Sequence, residues 1–146
     1  MKKILLLLLM ATMLLCGCHD DNEKEDISGY SGELSKAQQI TVIPADTSHE
    51  MKILKENVEL SEFISALDTE RWELDELPET ADVLGTFVFS QEETVKFGES
   101  ATDGELYQVC EMICYEEIPY ITLKMAELEM TFKVSGETAE YLGDWF

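Results

Sequence analysis

The chain has 146 residues, of which 31 are acidic and 10 are basic, so its formal net charge at pH 7 is −21. This length provides one domain of ordinary size and is too short for the two-lobed receptors that capture solutes for transport. The negative charge repels nucleic acid phosphates and anionic membrane surfaces, so neither is expected to be a direct partner.

Residues 1–17 are predicted to form an export signal. Lys2 and Lys3 provide a positively charged start, and the run from Ile4 to Leu15 then continues without a charge. As a helix this run would cover about 18 Å, which is well short of the roughly 20 residues that span a bilayer. A cleaved signal is therefore favoured over a permanent transmembrane helix.

The apolar run ends in the sequence Leu15-Cys16-Gly17-Cys18, which resembles the lipobox of bacterial lipoproteins. That motif has a branched aliphatic residue three positions before a cysteine and a small residue directly before it. Leu15 and Gly17 match these positions, and Cys16 is a less usual middle residue. The resemblance implies that Cys18 carries a diacylglyceryl group and becomes the first residue of the mature chain. The alternative is an ordinary secretory signal with a chance cysteine.

Removal of residues 1–17 would leave 8 basic residues against 31 acidic ones, a formal charge of −23. Electrostatic attraction cannot hold such a chain on an anionic bilayer, so the attachment has to be hydrophobic. Two acyl chains supply it, because each buried methylene contributes about 0.8 kcal/mol and one chain alone binds only marginally. The expected location is the extracytoplasmic face of the bacterial cell membrane.

Residues 18–39 are predicted to be an acidic, flexible tether, because they are rich in charge, Ser and Gly and show no apolar period. A coil of this length has a root-mean-square reach of about 25 Å. Residues 40–146 are then predicted to be a single globular domain.

The domain is predicted to begin with two short strands and a helix. Ile40 to Ile43 is rich in β-branched residues, stops at Pro44 and is expected to pair with Met51 to Leu54. The clearest helix is predicted from Val58 to Leu67, with Asn57 as its N-cap. Its apolar residues repeat at i, i+3, i+4 and i+7, and these are Leu60, Phe63, Ile64 and Leu67.

After an acidic connection, the apolar period changes from that of a helix to that of a strand. Val83 to Ser90 alternates and is expected to form a hairpin with Thr94 to Phe97. The segment 106–117 suits either a strand or a helix, and its Tyr, Val and Ile content favours a strand. Ile121 to Met125 and Leu128 to Val134 alternate clearly, so each should have one buried and one wet face.

The chain is predicted to end in a short helix. Ser135 can cap it, and Ala139, Leu142 and Trp145 would then face the core. These elements predict an α+β fold, a two-layer antiparallel sheet of five to seven strands covered by one main helix, with the short C-terminal helix closing it. The order of elements is similar to that of small uncharacterised lipoproteins of Gram-positive gut bacteria, a resemblance that implies no known activity.

No residue is predicted to bind a metal or a cofactor. His49-Glu50 begins like a zinc-protease motif, but Ile53 occupies the position of the required second histidine. Asp68, Glu70 and Asp75 could suggest a calcium loop, but Trp72 stands where an oxygen ligand is needed and no glycine supplies the sharp turn.

No residue is predicted to be catalytic either. The sequence contains no Gly-rich phosphate loop and no Gly-x-Ser-x-Gly nucleophile motif. Carboxylate pairs such as Glu116-Glu117 could perform acid–base chemistry. With 31 acidic residues in the chain, some such pair is inevitable.

Two cysteines and two tryptophans carry open alternatives. In a regular strand Cys110 and Cys114 share a face but lie about 13 Å apart, beyond disulfide reach, whereas on a helix or across a bulge they could bond. Burial as two small apolar side chains is favoured over a disulfide. Trp72 and Trp145 are residues typical of binding hot spots, but each ends a predicted helix, which favours a role in covering the core.

The sequence therefore predicts a lipid-anchored extracytoplasmic domain that acts by binding another envelope protein or an extracellular ligand. The partner is expected to be basic or cation-bridged. An enzyme acting on an envelope substrate and an inert structural surface protein are the alternatives. An exposed apolar patch or a free sheet edge ringed by acids would favour binding. A deep pocket with converging polar groups and perturbed carboxylates would favour an enzyme.

Overall fold

The computed structural model describes residues 28–46, 51–93, 95, 98 and 104–146. The predicted export signal, Cys18 and His49-Glu50 lie outside these residues. The elements in chain order are α1 (Ser28–Leu34), β1 (Gln39–Pro44), β2 (Lys52–Leu54), α2 (Asn57–Ala66), a 3-10 turn (Thr69–Arg71), β3 (Glu73–Leu74), β4 (Val83–Glu92), β5 (Leu106–Tyr115), β6 (Tyr120–Met125), β7 (Leu128–Lys133) and α3 (Gly136–Gly143).

The strands form one sheet in which every pair of neighbours is antiparallel. Its order is β2-β1-β4-β5-β6-β7-β3, so the two longest strands, β4 and β5, lie inside it. With three α-helices among the described residues, the fold is α+β, as the sequence predicts. No helix in the described part of the chain has both the length and the apolar character needed to cross a bilayer.

The partner of β4 differs from the predicted one. β4 continues through Gln91 and Glu92 without turning, and it pairs with β5 in a register that sets Phe87 opposite Met112 and Phe89 opposite Cys110. The predicted hairpin turn at these residues is therefore wrong; of the predicted return strand, residues 94, 96 and 97 lie outside the described residues. The physical reason is that the buried residues Cys110, Met112 and Cys114 of β5 complete an apolar face, which outweighs a local turn signal.

Most of the other predicted strands are confirmed. β2 pairs with β1, the ambiguous segment from Leu106 is the long strand β5, and β6 and β7 follow close to their predicted bounds. The C-terminal helix begins at its predicted cap, where the Thr138 N–H donates to Ser135 Oγ at 3.1 Å. Leu142 is buried and Trp145 is half-buried against the core.

Helix α2 lies where its apolar period predicts, with a small change at its start. Leu60 and Phe63 are buried, and so is Leu67, which caps its C-terminus. Asn57 is already helical and the N-cap is Glu56, so the predicted Asn57 cap is wrong. The Leu60 N–H donates to the Glu56 carbonyl oxygen at 3.0 Å, which closes the first helical turn one residue earlier.

One face of the sheet forms the core, which we call the covered face. It consists of three rows of neighbouring residues that cross the strands: Leu54, Ile40, Phe89 and Cys110; Val42, Phe87, Met112, Leu123 and Met130; and Gly85, Cys114, Ile121, Phe132 and Leu74. Phe63 from α2 packs on it, with its ring centroid 4.9 Å from that of Phe87 and 6.2 Å from that of Phe89.

Folded structure also extends into the segment that was predicted to be a tether. Residues 28–34 form α1, and Leu34 is fully buried in the core. Tyr30 lies four residues earlier on the same helical face and packs on Phe132, with 6.1 Å between ring centroids. These two isolated apolar residues gain burial from the sheet, which a sequence window without an apolar period does not reveal. Residues 18–27 of the predicted tether lie outside the described residues.

Candidate binding surface at the β3–β7 edge

One end of the sheet is only half completed. The last strand, β3, has two residues, which pair Glu73 with Lys133 and Leu74 with Phe132. One further bond follows, in which the Asp75 N–H donates to the Thr131 carbonyl oxygen at 3.0 Å. Because β7 begins at Leu128, its first residues have no strand on their outer side within the part of the chain that the structure describes.

A depression of about 930 Å³ lies beside this unpaired length of strand, and we call its lining the edge patch. The lining residues are Tyr30, Leu74, Asp75, Glu76, Leu77, Leu128, Glu129, Met130 and Thr131. Two of its leucines are largely in solvent, with Leu74 54% and Leu128 59% exposed. The depression is thus an open apolar surface at a sheet edge, unlike the enclosed cavity of a typical small-molecule site.

The length of α1 explains why apolar side chains remain exposed here. Leu128, Met130 and Phe132 alternate along β7 and point to the covered face. Phe132 is buried under Tyr30 and Trp72, with ring centroids 6.1 Å and 5.5 Å away. Leu128 starts β7 at the turn from β6, two residues beyond Met130, and it lies past this aromatic cover. At this corner, the covered face therefore extends beyond the helices that pack on it.

Asp75 is the carboxylate that the structure fixes most firmly in the edge patch. Its Oδ1 accepts from the Glu76 N–H at 2.8 Å, and its Oδ2 accepts from the Tyr120 hydroxyl at 3.0 Å. These two hydrogen bonds lower the pKa of Asp75, and the bond from the Glu76 N–H has the larger effect. The hydrogen bond between Tyr120 and Asp75 also raises the pKa of Tyr120. Asp75 therefore stays ionised at any physiological pH and suits attraction of a cation better than donation of a proton.

The remaining charged groups make this corner electronegative. Three of the nine lining residues are acidic and none is basic. Glu76 and Glu129 are exposed. Glu129 forms an ion pair with Lys124 of the neighbouring strand β6, with 3.3 Å between Oε2 and Nζ. An exposed ion pair of this kind contributes at most about 1 kcal/mol, so it can be exchanged for a partner's cation at little cost.

Both tryptophans pack in or against the core, as the sequence predicts. Trp72 is 3% exposed, and its Nε1–H donates to the Leu67 carbonyl oxygen at 2.7 Å. Trp145 packs edge-on against Phe63 with 5.7 Å between ring centroids, and the Lys52 ammonium lies 5.8 Å from the Trp145 ring centroid. Both rings therefore close the core, and neither is presented as a binding hot spot.

The two cysteines are free and buried, and both belong to β5. Cys110 lies opposite Phe89, and Cys114 lies opposite Gly85 and Ile121. Burial raises the pKa of each thiol to about 12. The favoured prediction of two buried apolar side chains is confirmed, and both groups stay protonated and unreactive in the folded protein.

The other acids singled out in the sequence do not converge. Asp68 adopts a left-handed backbone with φ of 48° and pairs with Arg71 at 3.4 Å. Glu116 and Glu117 are exposed at the turn between β5 and β6. Over the described ranges, no three His, Cys, Asp or Glu side chains are grouped closely enough to hold a metal ion.

Sequence reasoning missed the edge patch. It placed Leu128 and Met130 on the buried face of their strand, which is the correct face, but it could not show that the cover ends before Leu128. Leu74 and Leu77 did offer a signal, because they are isolated apolar residues within the acidic connection from Glu73 to Thr80. Neither residue belongs to an apolar period in the sequence, so the pattern does not place either of them in the core.

The sequence matches no protein-family model and no curated protein. Among solved structures, it is similar to the crystal structure of a thioesterase-like protein from Clostridium sporogenes, with 15% sequence identity and a TM-score of 0.40. The match covers 75% of this chain and 94% of that chain. Similarity at this TM-score carries no argument about the activity of the present chain.

Proposed function

We propose that this chain is a lipid-anchored extracytoplasmic domain that acts by binding another envelope protein through the edge patch. The observation that carries the proposal is an exposed apolar depression at an incomplete sheet edge, ringed by three acids of which Asp75 is held ionised. Free edges and exposed apolar patches are features that natural domains cover or charge unless they are used for recognition.

The two kinds of residue in the patch have different roles in this proposal. Leu74 and Leu128 provide apolar area that becomes buried in the complex, which supplies the binding free energy. The acids select a basic or cation-bridged partner and speed its approach, because the chain after removal of residues 1–17 would carry a formal charge of −23.

The domain itself is proposed to have two layers, with α2 as the main cover of the sheet and α3 closing it. The contacts of Phe63 support this arrangement. Its ring lies against Phe87 and Phe89 of β4 and also 5.9 Å from Tyr141 and 5.7 Å from Trp145, centroid to centroid. A rigid domain of this kind would present the edge patch in a fixed shape.

The anchor in the proposal is a diacylglyceryl group on Cys18. Leu15 and Gly17, which precede it in the lipobox pattern, support this assignment. Cys18→Ala should abolish incorporation of labelled fatty acid and release the protein from membranes, with the melting temperature of the domain unchanged. Membrane retention together with fatty acid labelling of the variant would refute the assignment.

Position-specific photocross-linking in intact cells tests the binding function. A photoreactive amino acid is placed at Leu74 or at Leu128, and the matched control positions are Met51 and Ile53, which are also exposed, with Ile53 in the opposite edge strand β2. We expect a discrete cross-linked partner from Leu74 and Leu128 and none from the controls. The same yield at all four positions would mean that the edge patch is not the interface.

The charge of the proposed partner is tested by the salt dependence of association. If the acids steer a basic partner, its association rate should fall steeply as salt rises, while its dissociation rate changes little. Surface plasmon resonance with the cross-linked partner measures both rates. An association rate that is independent of salt would remove the acids from the recognition step.

A further inference from the structure

The main chain of β7 offers hydrogen-bonding groups at its outer edge. The Thr131 carbonyl oxygen accepts from the Asp75 N–H, so the main chain of Thr131 faces away from β6. In an antiparallel strand this direction repeats every second residue, so the N–H and C=O of Glu129 face outward as well. β3 ends at Leu74, and no strand of the described residues pairs with Glu129 on its outer side.

We propose that a short extended segment of a basic partner protein adds to β7 beside residues 128–130 as an additional strand. This inference rests on the proposed binding function and names the type of partner that the edge patch fits. Main-chain hydrogen bonds to Glu129 would set the register, and side chains would supply the specificity, as in other cases of strand addition to a sheet edge.

The two faces of such a strand would meet different surroundings. Side chains on one face enter the depression, where Tyr30, Leu128 and Met130 offer apolar contact. Side chains on the other face lie beside Glu129, where a Lys or Arg would form a cross-strand pair of opposite charge. A segment that alternates basic and apolar residues satisfies both surroundings.

Charge decides between this occupant and two others. A second copy of the chain would bring a net charge of −21 and the same three acids to the edge. The chain's own residues 19–27 contain five acids and one lysine. Both would be repelled by the acids around the depression, whereas a basic segment is attracted.

The test uses the full chain, isotopically labelled in detergent micelles, and a synthetic hexapeptide of alternating Lys and Val with blocked ends. Its binding is followed by NMR, and we expect chemical shift changes centred on residues 128–131. Two further peptides carry N-methyl groups, one on every Val amide and the other on every Lys amide. Because only one set of amides can face β7, one methylated peptide should bind about tenfold more weakly and the other should bind like the parent.

Variants of the protein test the same edge from the other side. Glu129→Pro removes the outward N–H at a position where an edge strand tolerates proline, so it should weaken binding of the parent peptide about tenfold. Glu129→Gln is the matched control, which keeps the N–H, loses only the charge and should weaken binding about threefold. The methylated peptides with the unaltered protein keep the test valid if Glu129→Pro does not fold.

Several results would overturn the inference. If both methylated peptides bind like the parent, or both lose affinity equally, the attraction is electrostatic or apolar without strand addition. A homodimer in sedimentation that Glu129→Pro dissociates would assign the edge to a second copy. Peptide affinity that rises tenfold when residues 19–27 are replaced by a Gly-Ser sequence would assign it to the chain's own segment.

Failure of this inference can be told apart from failure of the proposed function. If Leu74 and Leu128 still cross-link to a partner in cells while Glu129→Pro leaves the cross-link intact, the edge patch binds a partner without strand addition. If neither position gives a cross-link above Met51 and Ile53, the binding function itself is wrong.

Discussion

The covered face of the sheet and its opposite face carry different kinds of side chain, although both belong to the same strands. On the covered face, Phe87, Phe89 and Met112 have no exposed surface, and rings from α2 and the C-terminal residues pack directly on the phenylalanines. On the opposite face, Ile113 is half-buried and Ile43 is 37% exposed. A period of two thus separates one continuous apolar layer from a mixed surface on a single backbone.

The opposite face carries a network of hydrogen-bonded hydroxyl groups. Thr122 of β6 is 1% exposed, and its Oγ1 is 2.8 Å from the Tyr115 hydroxyl and 2.8 Å from Thr131 Oγ1. Across the described part of the chain, no buried side-chain nitrogen or oxygen lacks a hydrogen-bond partner. The difference shows that apolar packing stabilises the fold on one face. On the other face, a small network of hydrogen bonds contributes much less free energy.

The largest effect should come from removing the ring at the centre of the covered face. Phe63→Ala deletes a fully buried side chain that contacts four aromatic residues, so it should lower the free energy of unfolding by about 3 to 5 kcal/mol. Glu62→Ala, at the adjacent exposed position, should change it by less than about 0.5 kcal/mol. Chemical denaturation measures both, and equal changes would mean that α2 does not face the sheet as described.

A smaller loss is expected from adding one methyl group to the covered face. The Phe146 ring lies over Gly85, where a Cβ would overlap its atoms, and the same ring packs on Phe87 at 5.0 Å between centroids. Gly85→Ala should therefore cost about 1 to 3 kcal/mol through overpacking. Gly136→Ala is the matched control, since no neighbouring atom lies within 4 Å of the place that its new methyl group would occupy. Chemical denaturation measures both variants, and an unchanged unfolding midpoint for Gly85→Ala would show that the Phe146 ring moves aside freely.

The buried thiol of Cys114 predicts a pH effect that is confined to the covered face. Burial raises its pKa from about 9.0 to about 12, so the folded state keeps a proton that the unfolded state releases. The stability linked to this proton is complete below pH 9 and is lost as the pH rises toward 12. Between pH 8 and pH 10, the free energy of unfolding of the unaltered chain should fall by about 1.4 kcal/mol more than that of Cys114→Ala.

Denaturation of both proteins at the two pH values checks this prediction, because tyrosine and lysine titration is common to both and cancels in the difference. A difference of zero would mean that water reaches the thiol in the folded state.

The smallest effect should come from the opposite face. Thr122→Val keeps the shape of the side chain but removes the hydroxyl shared by Tyr115 and Thr131, so it should lower the free energy of unfolding by about 1 kcal/mol. Thr86→Val, half-buried on the same face, is the control and should be close to neutral. A loss as large as that of Phe63→Ala would contradict the contrast between the two faces.

Local patterns in the sequence predicted the elements well where the apolar repeat continued over several residues. The helix around Phe63, the alternation of β6 and β7 and the cap at Ser135 could all be predicted, because each depends on neighbours within one or two turns of chain. The partner of β4 could not, since the choice between a nearby segment and β5 depends on which one completes a shared apolar face. The same limit hid α1, whose burial is a property of the sheet it meets.

The sequence by itself determined the charge, the class of fold and which residues of each strand point inward, because composition and periodicity are properties of the chain alone. Only the tertiary structure decided where the inward face remains uncovered. Leu128 has the pattern of a core residue, yet it lies in solvent because α1 is short and β3 ends after Leu74. Exposure depends on the lengths of elements that are distant in sequence, and for this reason the edge patch appears only in the folded molecule.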